Sequence, residues 1–333
     1  MTVKIGLIGC GGIAHQHARG YTKYPDLVKV TAVCDIVEGN RQEIADIVGG
    51  AEQYSDYHKM LQEADIDGVD ILLPHHLHKD AIVAAAKAGK YIMCEKPLCL
   101  NMQEAEEIRQ VVRENGVTLM CAHNQLFYPS VQKAKEILDQ GLLGKIYEIR
   151  TVDTFFNKWV NANAGWRASR ELVGGGELID TGYHPSYLLL YLAASEPVEV
   201  VAMLSRHRLN IEGEDSAQVL VRFENGAVGN IVTSWAYDKP EGWSQFLVIG
   251  ENGQLYRKDN NLVLALDGQE PQVYEFPAVN TFHIEMGEYA KVIAEGKRPL
   301  QNEEDGIRVL ELILGAYKSA EEKRIVSLGA VTA

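Results

Sequence analysis

The sequence predicts an α/β protein in two parts: an N-terminal doubly wound parallel sheet, then an α+β part on a broad, open, mixed but mainly antiparallel sheet. Three observations predict it. Short, almost wholly apolar runs alternate with amphipathic helices over roughly the first 120 residues. After about His123, long runs of alternating polarity take over. The chain has 333 residues and is 46% hydrophobic, which is enough for two cores.

The elements follow from these patterns. Val3 to Ile8 is an apolar strand interrupted only by Lys4 and Gly6, and a helix follows from about Ile13. Val28 to Cys34, Val69 to Leu73, Tyr91 to Cys94 and Val117 to Ala122 read as further buried strands. Between them lie helices at Arg41 to Val48, Tyr57 to Glu63, Lys79 to Ala88 (closed by Gly89) and from Asn101 to Glu114. A helix from Pro129 to Gln140 opens the second part. Its strands are Lys145 to Phe156, Val198 to His207, Ala217 to Phe223, Val228 to Tyr237, Phe246 to Ile249 and Gln254 to Tyr256. An apolar helix, Asp180 to Ala193, falls between the first two, and helices near Phe282 to Glu295 and Glu303 to Glu322 close the chain. The expected domains are residues 1–123 and 124–333. A broad sheet with helices on one face leaves the other to be covered, which predicts a homodimer or homotetramer.

The formal net charge of −14, with no basic run, argues against nucleic acid as a partner. The apolar N-terminus is too short for a signal peptide and breaks at glycines, and no run reaches the length of a membrane span. The five cysteines, Cys10, Cys34, Cys94, Cys99 and Cys121, are odd in number and lie in or beside apolar runs. They read as reduced thiols of a cytoplasmic protein, and no Cys/His pair has zinc spacing, so no metal is expected.

The first strand runs into Gly9-Cys10-Gly11-Gly12-Ile13-Ala14. Gly9 permits a tight turn, Gly11 lets a pyrophosphate approach the backbone, and Ala14 packs helix on strand. Gly12 and Ile13 complete the loop. Asp35 ends the second strand, where a carboxylate accepts ribose hydroxyls and repels a 2′-phosphate, so the expected cofactor is NAD rather than NADP. This is a Rossmann signature. Two clusters end later strands and so fall on the ligand edge of such a sheet: Pro74-His75-His76-Leu77-His78 and Glu95-Lys96-Pro97. A desolvated lysine beside a nicotinamide is suited to polarising a hydroxyl or relaying its proton. His75 is better placed than His78 to meet the nicotinamide, since His78 begins the next helix. In the second part, Gly174-Gly175-Gly176 precedes Asp180 and His184. Four apart on one helix, these two would aim an acid and a base from a shared face, with Asp180 also suited to capping.

With Trp166-Arg167, these motifs resemble the glucose–fructose oxidoreductase/inositol dehydrogenase/MocA family of NAD(P)-dependent oxidoreductases, over nearly the whole chain. The resemblance implies a dehydrogenase without metal, acting on a sugar, cyclitol or related polyol. Lys96 would carry the lysine role, Asp180 would orient substrate and His184 would be the acid/base. Glu95, Trp166 and Arg167 would approach the cofactor, and Asn124 the substrate. Three positions depart from the family pattern: His75 stands where Asn is usual, the segment His123 to Pro129 lacks an arginine near Leu126, and Tyr187 replaces an Asp three after the histidine. Two other readings remain at this stage: an NAD-dependent glycosidase that oxidises transiently and eliminates, and a non-catalytic sensor of NAD or sugar.

Overall fold

The structure is a computed structural model that describes residues 2–329. Met1 and residues 330–333, the outer ends of the two expected domains, lie outside them. The chain divides into two compact units: residues up to Asn124 with Asn280–Ile307, and Gln125–Val279 with the residues from Arg308 on.

The first unit carries six strands: β1 (Val3–Ile8), β2 (Val28–Cys34), β3 (Glu52–Tyr54), β4 (Gly68–Ile71), β5 (Tyr91–Cys94) and β6 (Leu119–Cys121). All pairings are parallel, in the order β3-β2-β1-β4-β5-β6. The expected doubly wound sheet is present. β3 went unpredicted because Glu52 and Gln53 at this short edge are exposed polar residues. The strand order reverses beside β1, so the loop after β1 opens at the switch point where doubly wound sheets bind ligands. The strands are apolar because helices cover both faces: Ile5, Leu7, Val33, Ile71, Ile92 and Met93 have no exposure.

The helix Thr281–Glu295 packs in this unit, whereas the sequence reading placed it in the second domain. The cause is close helix packing on Ala14–Tyr21 and the turn after it. A Cβ on Gly20 would lie 2.6 Å from Met286 Cγ, and one on Gly287 would lie 2.5 Å from the Tyr24 ring. Tyr289 then donates its hydroxyl to the Val69 carbonyl at 2.9 Å.

The second unit holds a nine-stranded sheet: β7 (Ile146–Thr154), β8 (Pro197–Ser205), β9 (Ser216–Phe223), β10 (Val228–Ser234), β11 (Phe246–Gly250), β12 (Gly253–Lys258), β13 (Asn261–Leu266), β14 (Gln272–Tyr274) and β15 (Val326–Ser327). Its order is β14-β13-β12-β11-β7-β10-β9-β8-β15, antiparallel except for β7 with β10. The mixed, mainly antiparallel sheet is as expected. β13, β14 and β15 were not predicted. From Ala217 on, β9 alternates between buried and exposed residues. One face packs on the helix Tyr183–Ala193, and a Cβ on Gly229 of β10 would come within 2.8 Å of Leu189. The other face shows Met203 (81% exposed) and Leu220.

The expected single helix from Asp180 to Ala193 is two. Glu177–Asp180 forms one turn, the chain bends at Thr181 and Gly182, and Tyr183–Ala193 starts anew. Gly182 causes the break: a Cβ there would sit 2.7 Å from the Leu178 backbone. Asp180 therefore ends a helical turn instead of capping the next one.

Candidate active site

The glycine loop has the shape a dinucleotide needs. Gly9 has φ of +96°, and a Cβ on it would lie 2.6 Å from the Leu72 carbonyl oxygen, so only glycine fits. Cβ positions on Gly11 and Gly12 would meet nothing within 4 Å, which leaves that backbone open to an approaching pyrophosphate. The helix Ala14–Tyr21 begins at Ile13 with no side-chain cap and no acid in its first turn. Its leading amides can thus receive an anion. Asp35 is held in place: Oδ2 accepts the Cys10 N–H and Oδ1 the Val37 N–H, each at 2.8 Å. A carboxylate has about four acceptor sites, so capacity for ribose hydroxyls remains. Arg41 donates from Nη1 to the Asp35 carbonyl at 2.5 Å, while its Nε is buried without a partner. Ile36 (88% exposed) and Val37 follow Asp35 as an apolar rim that the sequence reading passed over. These features fit NAD.

The strand-end clusters lie in the same unit. Pro74 precedes the single turn His75–Leu77, and His75 is only 4% exposed. His78 begins the next helix, and both its ring nitrogens face carbonyls, Nδ1 that of Pro97 at 2.6 Å and Nε2 that of Leu73 at 2.7 Å. Burial outweighs these bonds and pushes its pKa down. His78 thus braces the two strand ends. Lys96 is half-buried, joined to Pro97 by a cis peptide, and its N–H donates to Glu95 Oε2 at 3.0 Å. Asn124 is buried and donates from Nδ2 to Thr281 Oγ1 at 3.1 Å.

Glu95 leads inward to a buried ionisable cluster that sequence reasoning missed. His17, with no exposure, lies between Asp70 Oδ2 at 2.8 Å (Nδ1) and Glu95 Oε1 at 3.1 Å (Nε2). Tyr21 also donates to Asp70 Oδ2, at 3.0 Å. Burial alone would deprotonate His17, but the two carboxylates together prevail and its pKa rises well above the usual value. Glu285 has both oxygens buried without a hydrogen bond. Burial, opposed by the His17 charge and reinforced by Glu95 and Asp70, raises its pKa well above the usual value. The available signal was a glutamate on the apolar stripe of Thr281–Glu295, between Phe282 and Tyr289.

In the second unit, Asp180 is 3% exposed and accepts from Arg167 Nε at 2.6 Å. The Arg167 guanidinium also lies over Trp166 (4.3 Å) and Trp159 (5.4 Å). His184, half-buried in the first turn of Tyr183–Ala193, meets the Tyr187 hydroxyl through Nδ1 at 2.8 Å. The same hydroxyl accepts the Gln125 N–H at 3.1 Å.

The triple glycine has a packing cause. A Cβ on Gly175 would lie 2.1 Å from the Tyr317 hydroxyl, and one on Gly176 would lie 2.2 Å from the Glu214 carbonyl. Beneath it Glu177 is buried, accepts from Thr233, and is pushed well up in pKa by burial. Among the described residues no cluster of His, Cys, Asp and Glu suits a metal, and all five cysteines are free and buried. Among the described residues no helix is long and apolar enough to cross a membrane.

A parallel sheet with an open glycine cradle, a carboxylate after β2, and a second unit holding an oriented histidine define an NAD-binding oxidoreductase. Comparison with known proteins gives the same class. The NAD-binding Rossmann fold of an oxidoreductase family matches residues 3–123, and the GFO/IDH/MocA C-terminal domain matches residues 131–256. The chain belongs to the Gfo/Idh/MocA family of oxidoreductases. It is 27% identical to myo-inositol 2-dehydrogenase of Thermotoga maritima over 98% of both chains. It is 26% identical to scyllo-inositol 2-dehydrogenase (NAD(+)) of Bacillus subtilis over 95% of this chain and 94% of the other. A solved complex of levoglucosan dehydrogenase with NADH and levoglucosan superposes with a TM-score of 0.89 at 25% identity, covering 99% of this chain and 100% of that one.

Proposed function

We propose that the protein is an NAD-dependent dehydrogenase that interconverts a secondary alcohol and a ketone on a sugar, cyclitol or related polyol. The observation that carries this reading is His184, fixed through Nδ1 by Tyr187 in a half-buried position. Histidine is the side chain suited to exchanging a proton with a substrate hydroxyl at physiological pH. NAD, when bound, supplies the hydride acceptor or donor, held by Gly9, Gly11, Gly12, Ile13 and Asp35, with Pro74, His75 and Glu95 bordering it.

His184 removes the hydroxyl proton during oxidation and returns it during reduction. The Lys96 ammonium steadies the charge that develops on the substrate oxygen. Asp180, ion-paired with Arg167, accepts from a neighbouring hydroxyl and so fixes which carbon reacts. Arg167 and Trp166 act by positioning Asp180. Asn124 borders the substrate in this scheme. The dehydrogenase names of the relatives support the substrate class.

The exposed Met203 and Leu220 on the uncovered sheet face support a homodimer or homotetramer formed through that face. Five free thiols support a cytoplasmic location.

The test mixes the protein with NAD and a panel of inositols and sugars and follows reduced-nicotinamide absorbance. Reduction by at least one candidate is expected, lost in Lys96→Ala and His184→Ala. No absorbance change with any candidate, or glycoside cleavage without net redox change, overturns the reading.

A further inference from the structure

His17 bridges two strand ends of the first unit. It sits within Ala14–Tyr21, the helix that follows the glycine loop, so a rigid element places its ring. Nδ1 meets Asp70 of β4 at 2.8 Å, and Nε2 meets Glu95, which follows β5, at 3.1 Å. Glu95 is engaged at both oxygens: Oε1 faces His17, and Oε2 accepts the Lys96 N–H at 3.0 Å. Two such contacts fix the plane of the carboxyl, and the backbone of Lys96 is tied to it. The contacts form one unbroken line, Asp70–His17–Glu95–Lys96. It comes toward the surface at one end only: His17 and Asp70 have no exposure, Glu95 has 8%, and Lys96 is half-buried.

Stability alone does not account for this line. The groups facing the ring are Asp70, Glu95, and Glu285 with Phe282 from the helix Thr281–Glu295. Asp70 Oδ1 and both Glu285 oxygens are buried without a hydrogen-bond partner. Acids around one imidazole in a dry interior often hold a fold no better than apolar side chains of the same volume. What they hold well is a direction, since each bond of a buried network admits one geometry.

We propose that His17 is a positioning residue for the reaction: anchored on Asp70, it orients the Glu95 carboxyl, which in turn fixes the backbone that presents Lys96. The proposal rests on the role given to Lys96 in proton and charge handling. His17 touches neither substrate nor cofactor in this scheme and acts only through Glu95.

Two substitutions separate positioning from bracing. The side-chain amide of His17→Asn takes the place of Nδ1 and keeps Asp70, while that of His17→Gln takes the place of Nε2 and keeps Glu95. Both remove the charge, so both should lower Tm. The full chain is assayed with NAD and myo-inositol, scyllo-inositol or levoglucosan, well below the Tm of each variant. His17→Asn should lower kcat roughly tenfold or more with substrate KM nearly unchanged, as loss of a charge-assisted bond acting on the transition state predicts. His17→Gln should stay within about threefold of the wild type, because the bond to Glu95 is kept. Glu95→Gln should show a loss of its own, and adding His17→Asn to it should cost little more, since the path is already cut. A readout free of turnover is hydrogen exchange of the Lys96 amide, followed by NMR, which should be about tenfold faster in His17→Asn than in His17→Gln.

Equal kcat and equal Lys96 exchange in the two histidine variants overturn the proposal and leave His17 as a brace. Additive losses in the double variant, or a loss of kcat with Lys96 exchange unchanged, also overturn it. If neither histidine variant folds, the Lys96 amide decides: slow exchange in the wild type that is lost in Glu95→Gln supports the proposal, and rapid exchange in the wild type overturns it. Full activity in Lys96→Ala sinks the role given to Lys96 and this proposal with it. Activity lost in Lys96→Ala but kept in His17→Asn sinks only this proposal. Absence of turnover in the wild type sinks the dehydrogenase reading, and the exchange comparison then decides whether His17 fixes Lys96.

Discussion

Replacing His17 by alanine should unfold the first unit far more easily, and should do so in a pH-dependent way. His17 is the buried cation between Asp70 and Glu95, at 2.8 and 3.1 Å. Removing the imidazole leaves two buried carboxylates without their counter-ion. Breaking such a pair costs about 3–5 kcal/mol, which at about 2–4 °C per kcal/mol for a unit of this size lowers Tm by roughly 6–20 °C. The sign with pH follows from the shift. The folded-state pKa of His17 is raised, so its stabilisation is fully present below the unfolded value of 6.5 and is lost as pH rises through the folded value. Across that window the wild type should lose up to about 1.4 kcal/mol per pH unit through this one proton, and His17→Ala should lose none of it. Glu285, also raised, adds a fall with pH that begins at its unfolded value of 4.5 and persists in the variant. Thermal unfolding followed by circular dichroism at pH 6, 7, 8 and 9 reads both quantities. A loss below about 1 kcal/mol at pH 6, or parallel pH slopes for the two proteins, would refute a charged His17 holding the strand ends together.

Three further outcomes are expected. Gly11→Val adds a side chain into open space, so the unliganded Tm should barely move while the NAD Kd, read by calorimetry, rises at least roughly tenfold as the pyrophosphate is blocked. An unchanged Kd would mean that the cofactor does not lie over Gly11. Asp35→Ser removes the charge that opposes a 2′-phosphate and leaves Arg41 nearby, so the kcat/KM ratio of NADP to NAD should rise by roughly tenfold or more. Tyr187→Phe removes the hydrogen bond that aligns His184 and should lower kcat by about tenfold with KM nearly unchanged, as loss of one hydrogen bond from an otherwise intact site predicts. A variant with wild-type kcat would show that Tyr187 does not position the imidazole.

The sequence by itself determined whatever depends on neighbours along the chain. Apolar runs such as Val28 to Cys34 must be buried on both faces, and a glycine at the end of β1 is the residue a φ of +96° requires, so the doubly wound sheet and its cofactor edge were legible. Asp35 and Lys96 stood out for the same reason, since each follows an apolar strand. Tertiary structure decided what depends on contacts between distant segments. Thr281–Glu295 joins the first unit because Gly20 and Gly287 allow close packing with residues more than 200 positions away in sequence. The helix expected from Asp180 on divides at Gly182, which Leu178 and Thr233 crowd, and the structure adds Arg167 beside Asp180 and Tyr187 beside His184. The buried ionisable groups His17 and Glu285 carry no local signal, because the polarity of a site is set by what folds over it. Spacing along the chain identified the residues suited to hydride and proton transfer. Which partner each group meets is decided only when distant segments fold together, because desolvation and hydrogen bonding are set by what packs around it.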